Sequence, residues 1–493
     1  IIHICLAITY FLWDRYWITD VISCQIFKID LNTNSCKYYF YDVWKETPFP
    51  VYLEIFLYNF TNSDEVMKNN SIKPIFEENG PYVFMEHHIK VNLIWNPNGT
   101  VSFYQRRIYT YVPERSTGCL TDNITNMNMI ASAAYSSRFK STFEKLALNS
   151  VLNLYAEGVV VTKTAGELLF DGYEDRLLSL IESLNISSIV DLPYDKFGWF
   201  YGRNLSDTFD GMFNMHTGSA DIYKLGVMDT WNGEDNVGYY DGECGEVRGS
   251  AGELFPPGGN PDSIEVFATD ICSYLTLNRY GTKEVNRITG TLFSADDSPF
   301  DNGANYPEQA CFCSEGSCPP WGSRNVSLCR MGAPAFISFP HFNLAHPSYT
   351  DRIDGMIADE DRFQMVLELS TGVPLYVKAQ LQINIQVQHI PGIRYFDKMP
   401  DNIYMPMLWF RQEVFISDDL ANELRHALSL RECLPILFYA LSGMGLVLVV
   451  VGMIIRLWKI TSPHFYPPLI PFFSQNFLSF LSLKRPSTQH LQR

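Results

Sequence analysis

The sequence predicts an α+β ectodomain of interleaved strands and helices, held by an apolar membrane helix. Three features predict it. Residues 373–387 alternate apolar and polar, with Val373, Leu375, Val377, Ala379, Leu381, Ile383, Ile385 and Val387 on one side, the period of a pleated strand. Residues 139–154 and 166–184 instead repeat their apolar positions at helical spacing. Residues 434–455 run for 22 positions without a charge, and a helix of that length crosses a hydrocarbon core of about 30 Å.

Composition narrows the function classes. A chain of 493 residues with 46% hydrophobic and 18% charged residues can bury a large core. A net charge of −17 excludes non-specific nucleic-acid binding, which needs a basic surface.

The elements follow in order. Residues 1–13 are apolar but too short to span a bilayer, and read as the end of a membrane helix or signal segment. Residues 51–59 are rich in β formers. Residues 82–95 and 100–111 flank Asn96-Pro97-Asn98-Gly99, a turn signal, and predict a hairpin. The first helix carries Phe139, Phe143, Leu146, Ala147, Val151 and Leu154 on its stripe; the second carries Leu169, Tyr173, Leu177, Leu180, Ile181 and Leu184. Residues 232–261 are rich in Gly, Asp, Glu and Pro and read as loop. Residues 363–369 alternate like the strand after them, with Ser370-Thr371-Gly372 as the turn between. Pro435 stands where a helix begins, and Arg456 and Lys459 close the span as snorkelling anchors. Three prolines in residues 465–483 argue against a second spanning helix there.

Lysine and arginine counts beside the span tie, so charge does not orient it. Sequons do. Asn59, Asn69, Asn98, Asn123, Asn185, Asn204 and Asn325 all begin N-x-S/T and all precede the span, which places that region outside the cytosol. Cys244, Cys272, Cys311, Cys313, Cys318 and Cys329 cluster in the same region. Six thiols there read as disulfides, with fifteen connectivities open. Zinc usually takes C-x₂₋₄-C pairs, and these spacings are wrong for two such knuckles.

No enzyme emerges. Gly249-Ser250-Ala251-Gly252 falls one residue short of G-x-S-x-G. His87 and His88 are neighbours in a strand and point to opposite faces. His341 and His346 flank an aromatic stretch and read as structural histidines. No catalytic residue, metal site or cofactor is assigned.

Several segments taken together carry a family resemblance: WKETP from Trp44, ENGPYVF from Glu78, GELLFDGYED from Gly166, FGWFYGRN from Phe197, ELFPP from Glu253, ATDICSYL from Ala268, CFCSEGSCPPWG from Cys311 and GAPAFISFPHFNLA from Gly332. In this order they resemble the class B scavenger receptor family. The stretch from Phe197 to Gly226 with WNG at Trp231 is similar to its insect croquemort-like branch.

The resemblance implies an antiparallel β-barrel-like ectodomain core with inserted helices, a membrane-distal helical bundle and an apolar tunnel. It implies two transmembrane helices, the first truncated. Residues 1–16 are then the remnant of that first helix, 17–433 the glycosylated extracellular region, 434–456 the second helix and 457–493 the cytoplasmic tail. It pairs Cys244 with Cys311, Cys272 with Cys329 and Cys313 with Cys318. It expects Val377, Leu381, Ile383 and Ile385 in the tunnel wall. Basic residues at the tip would meet anionic ligands; here these are Lys163 and, on the preceding helix, Arg138, Lys140 and Lys145.

The implied partners are lipids (fatty acids, sterols, anionic phospholipids), lipoproteins or apoptotic-cell surfaces, and the membrane. The implied location is the plasma membrane, multi-pass. Pro468-Leu469-Ile470 echoes a lysosomal sorting signal, but Phe465 replaces its acidic residue, so the lysosomal membrane is the lesser reading. The implied function is lipid-ligand capture with lipid transfer; adhesion or lysosomal sorting without transfer is the alternative.

Overall fold

The computed structural model describes residues 39–136, 141–184, 195–313, 318–357 and 362–461. It divides into a unit up to Glu423 and a second from Leu424.

The first unit is built on one antiparallel sheet. Its strands are β1 (Val51–Phe60), β2 (Phe76–Trp95), β3 (Thr100–Tyr111), β6 (Met212–His216), β7 (Met228–Trp231), β8 (Ser263–Ala268), β9 (Ser273–Val285), β10 (Ile288–Ser294), β11 (Ser323–Asn325), β12 (Ala335–Ser338), β13 (Gln364–Glu368), β14 (Val373–Val387) and β15 (Ile403–Phe415). The order is β7-β6-β3-β2-β1-β15-β14-β13-β10-β9-β8, with β12 also paired to β14 and β11 to β12. β4 (Asn123–Met127) and β5 (Val160–Thr164) form a separate hairpin.

The two ends of this order nearly meet, and residues 249–250 join them. Met228 N–H donates to Gly249 O at 2.8 Å, Ser250 N–H to Glu265 O at 2.9 Å, and Phe267 N–H to Ser250 O at 2.7 Å. Ser250 is therefore a seam residue; its hydroxyl donates to Leu254 O at 2.5 Å. Gly249 has φ +81°, and a Cβ there would lie 2.6 Å from Glu265 O. A short, bent strip that must approach backbone this closely takes glycine.

Directly paired residues share a face. One face carries the rungs Phe84–Leu53–Gln412–Ala379, Tyr82–Ile55–Phe410–Leu381 and Leu57–Leu408–Ile383. This is the enclosed face. Lys90 of β2 lies on it and reaches Glu253 at 2.7 Å. From there the chain crosses to the β13–β14 turn, where Phe255 N–H donates to Gly372 O at 3.0 Å.

The helices are α1 (Tyr39–Lys45), α2 (Ser63–Lys68), α3 (Met129–Ser136), α4 (Thr142–Tyr155), α5 (Arg176–Leu184) and α6 (Asp418–Thr461). α3, α4 and α5 pack together through Ala131, Ala134, Leu148, Leu152, Leu177 and Leu178. The predicted helix over 166–184 is two pieces. A π-helical turn at Glu167–Asp171 ends at Gly172, φ +68°. Tyr173 then pairs with Phe197 as a β-bridge before α5 starts. Glycine in the left-handed region breaks the run.

Two expectations about faces are corrected. On β14 the polar residues Gln380, Gln382 and Asn384 are fully buried, whereas the alternation predicted a single covered face. Their side chains bond to residues that flank and follow the neighbouring strands: His341 N–H donates to Gln382 Oε1 at 2.7 Å, Asn384 donates to Ser338 Oγ at 3.0 Å, and Gln380 donates to Arg362 O at 3.2 Å. On α4 part of the stripe faces outward, while Val151 packs against the core. Phe143, Leu146 and Leu154 keep 79%, 64% and 74% of their surface exposed, while Leu148 and Leu152 pack inside.

α6 begins at Asp418, so Pro435 lies within it and not at its start. Tyr439–Trp458 is long and apolar enough to cross a membrane, the one such stretch among the described residues. Residues 1–13 and the tail with Pro468-Leu469-Ile470 lie outside them.

Candidate functional site

The enclosed face is apolar but incompletely packed. Leu381 and Ile385 are buried, whereas Val377, Ala379, Ile383 and Phe410 are only partly buried, although they sit on the central strands β14 and β15. Ile385 lies beyond a register shift at Ile383/Asn384. Phe197, Trp199, Ile383 and Phe410 each pack against both of two core clusters. Protein interiors are normally close-packed. These apolar side chains on central strands are therefore not fully covered by the described protein.

A charged belt lies on the same enclosed face, and no sequence pattern announced it. Glu86 is fully buried. Arg107 Nη1 donates to Glu86 Oε1 at 3.0 Å, and Arg107 Nε lies 2.7 Å from Asp210. Arg203 joins Asp210 at 2.9 Å and Asp270 at 3.2 Å. His88 Nε2 sits 2.6 Å from Glu86, off the axis of a hydrogen bond, and Gln412 donates to Glu86 Oε2 at 2.5 Å. Burial pushes the Glu86 carboxyl up, but His88 and Arg107 outweigh it and hold the group well below its ordinary range. Burial likewise opposes the charge on Arg203, and Asp210 and Asp270 reverse that, raising its pKa. Five ionic residues drawn from positions 86 to 270 are thus matched in one site.

His341 is a buried linker. Its Nε2 lies 2.8 Å from Glu78 Oε2, which also accepts from Trp409 Nε1 at 2.7 Å. His346 accepts from Ser348 N–H at 3.1 Å. His87 faces Glu46 at 2.9 Å. Among the described residues no group of three or more His, Cys, Asp and Glu is arranged to hold a metal ion.

The tip cations are engaged. Lys163 pairs with Glu157 at 2.9 Å and lies 4.7 Å over the Tyr173 ring. Lys145 donates to Pro391 O at 2.9 Å, beside Asn149 donating to Gly392 O at 2.6 Å. These two bonds pin α4 to the 391–392 loop. Arg138 and Lys140 lie outside the described residues. What α4 presents is the apolar row Phe143, Leu146 and Leu154.

Three disulfides join Cys244 to Cys311, Cys272 to Cys329 and Cys313 to Cys318. Asn69, Asn98, Asn123 and Asn204 are exposed; Asn59 and Asn325 are half-buried, and Asn185 lies outside the described residues. Asn59 Oδ1 accepts from Thr125 N–H at 2.9 Å and Asn204 Oδ1 from Tyr109 N–H at 3.0 Å.

Comparison with known proteins places this architecture. The model of the CD36 family matches residues 1–456. The chain is 35% identical to Protein peste of Drosophila melanogaster over 424 residues, 85% of this chain and 75% of that protein. It is 32% identical to scavenger receptor class B member 1 of Rattus norvegicus, covering 89% and 85%. It is 28% identical to lysosome membrane protein 2 of Homo sapiens, covering 82% and 83%. With a matched family model over nearly its whole length, a nearly closed β-barrel, three disulfides and an apolar C-terminal helix, the chain belongs to the CD36 family of class B scavenger receptors.

Proposed function

We propose that this receptor captures a lipid-bearing particle or cell surface on the face presented by α4 and passes apolar lipid along the enclosed face of the barrel to its membrane. In this reading residues 17–433 lie outside the cell, 434–456 span the membrane and 457–493 are cytoplasmic. The observation that supports it is the partly buried apolar row Val377, Ala379, Ile383 and Phe410 on central strands. An exposed lipid costs ~0.8 kcal/mol per CH₂ in water, so a continuous apolar path lowers the barrier to transfer without an energy source. The row Phe143, Leu146 and Leu154 supports capture, because contiguous exposed apolar residues on a folded surface mark interaction sites. Lipoproteins, apoptotic cells and anionic phospholipid surfaces are the ligands in view.

The resemblance to lysosome membrane protein 2 supports a second reading, a lysosomal receptor that sorts a partner without moving lipid. One experiment separates them. Cells expressing the full chain are given particles carrying a labelled cholesteryl ester, with Ala379→Trp plus Ile383→Trp filling the enclosed space. Transfer expects ester uptake to fall while particle binding persists. Unchanged uptake overturns transfer and leaves capture or sorting.

A further inference from the structure

α4 (Thr142–Tyr155) shows solvent an apolar face with almost no charge beside it. Phe143, Leu146 and Leu154 keep most of their surface exposed, and Ala147 is exposed with them. At helical spacing these four positions fall within one arc of about 100°. The helix carries Glu144 and Lys145 as its ionic residues, and both are engaged locally. Glu144 accepts from Ser141 N–H at 2.8 Å in the helix cap, and the Lys145 ammonium turns to Pro391 O at 2.9 Å. The exposed polar residues that remain, Ser141, Thr142, Ser150 and Asn153, offer hydroxyls and an amide.

The face is also rigid. The reciprocal cap starts the helix, and Leu148 and Leu152 hold its inner side. Asn149 donates to Gly392 O at 2.6 Å and accepts from Arg394 N–H at 2.8 Å. A row held in this way has little freedom left to lose on binding.

The residue types select the occupant. A protein groove that takes a helix reads anchors at i, i+3, i+4 and i+7. Counted from Phe143, the last of these is Ser150, a hydroxyl in the middle of the row. An anionic surface is drawn by basic residues, but the lysine of α4 is committed to a carbonyl and the chain carries a net charge of −17. A neutral lipid monolayer requires neither a matched shape nor a cation. Bulky apolar side chains spaced by small hydroxyl residues enter gaps between headgroups, and curvature opens such gaps.

We propose that α4 is a lipid-packing sensor: Phe143, Leu146 and Leu154 insert between the headgroups of a strongly curved, uncharged phospholipid surface, so that curvature and not negative charge selects what is captured. The row is ~16 Å long and lies in the plane of that surface. This rests on the capture reading above and names the surface chemistry within it.

The test mixes the purified full chain in phosphatidylcholine nanodiscs with fluorescent phosphatidylcholine vesicles. The vesicles are small and sonicated or large and extruded, with or without phosphatidylserine, at low and high salt. At equal lipid the small vesicles should be captured more, with no gain from phosphatidylserine and no loss at high salt. Phe143→Ser with Leu154→Ser should lower capture of small vesicles roughly tenfold or more, the scale of one buried large apolar side chain, with unchanged melting. Ser150→Leu fills the gap in the row and should raise capture severalfold, a gain that misfolding cannot imitate. Capture that requires phosphatidylserine and falls with salt overturns the proposal and returns capture to basic residues, sparing the broader reading. Equal capture of small and large vesicles also overturns it, while leaving α4 as the capture face if the serine variant is impaired. Normal capture by Phe143→Ser with Leu154→Ser removes α4 from capture and overturns both. Failure of the unaltered chain to capture any vesicle, while expressing cells still bind apoptotic cells, overturns both in favour of a protein ligand.

Discussion

Glu86 shows what a single buried charge demands. Its carboxylate has no solvent and relies on Arg107, His88 and Gln412. Breaking a buried ionic pair leaves the other charge uncompensated, at about 3–5 kcal/mol. Glu86→Gln should therefore lower unfolding stability by ~3 kcal/mol in urea titrations at pH 7. The folded pKa lies below the ordinary 4.5. The stability Glu86 contributes is thus fully present above the unfolded value and is lost only as pH falls through the depressed folded one. The difference between the unaltered chain and Glu86→Gln should stay constant from neutral pH down to about 5 and shrink in stronger acid. Arg324 is a contrasting case. It is fully buried with no carboxylate, its guanidinium bonds Tyr274 O at 3.0 Å and Pro299 O at 2.6 Å and lies 3.5 Å over Phe312, and burial brings its pKa down to about 10. It stays charged at any physiological pH.

At the scale of elements, α4 separates stability from capture. Ser141 and Glu144 form a reciprocal cap: Glu144 N–H donates to Ser141 Oγ at 3.2 Å and Ser141 N–H to Glu144 Oε2 at 2.8 Å. The helix is thus started by its own sequence. Its inner face holds it by Leu148 and Leu152. Leu152→Ala should cost ~2–5 kcal/mol in thermal or urea unfolding, as for other buried leucines. Phe143→Ser with Leu154→Ser should stay within ~0.5 kcal/mol of the unaltered protein, the usual range for surface changes, while particle binding to cells drops. β14 poses the opposite problem, because both of its faces are covered. Gln382 Oε1 accepts from Tyr58 Oη at 3.0 Å and from His341 N–H. Gln382→Leu removes an acceptor that two buried donors share and should cost ~1–3 kcal/mol by urea unfolding.

The whole molecule depends on how its sheet returns on itself. β7 and β8 stand at opposite ends of the strand order, and the strip at 249–250 supplies backbone partners to both. Gly249→Ala would force a Cβ against Glu265 O. It should lower the melting temperature and raise amide exchange in β7 and β8 more than in β1, because the damage lies at the seam. Two disulfides closing loops of 67 and 57 residues tie the segments between β7 and β12 to the barrel; cross-links of that span confine the unfolded chain most.

Some of this was legible before folding. The uncharged run near the C-terminus, sequons and cysteines confined to one side of it, and strict alternation at 373–387 are local patterns with a direct physical meaning. The alternation gives β14 almost to the residue, as the β formers at 51–59 and the turn at 96–99 give β1 and β3. Periodicity says which side chains share a face; it does not say what covers that face. Only tertiary structure decided that α4 turns Phe143, Leu146 and Leu154 to solvent, since Leu148 and Leu152 find α3 and α5. It decided that Gln380, Gln382 and Asn384 are buried, where they bond to Arg362 O, His341 N–H and Ser338 Oγ from segments distant in sequence. It brought Glu86, Arg107, Arg203, Asp210 and Asp270 into one site and made a serine in a lipase-like string the closing strip of a barrel. Local sequence sets the pattern on each element, and the identity of its long-range partner, which no local pattern encodes, sets the use to which each face is put.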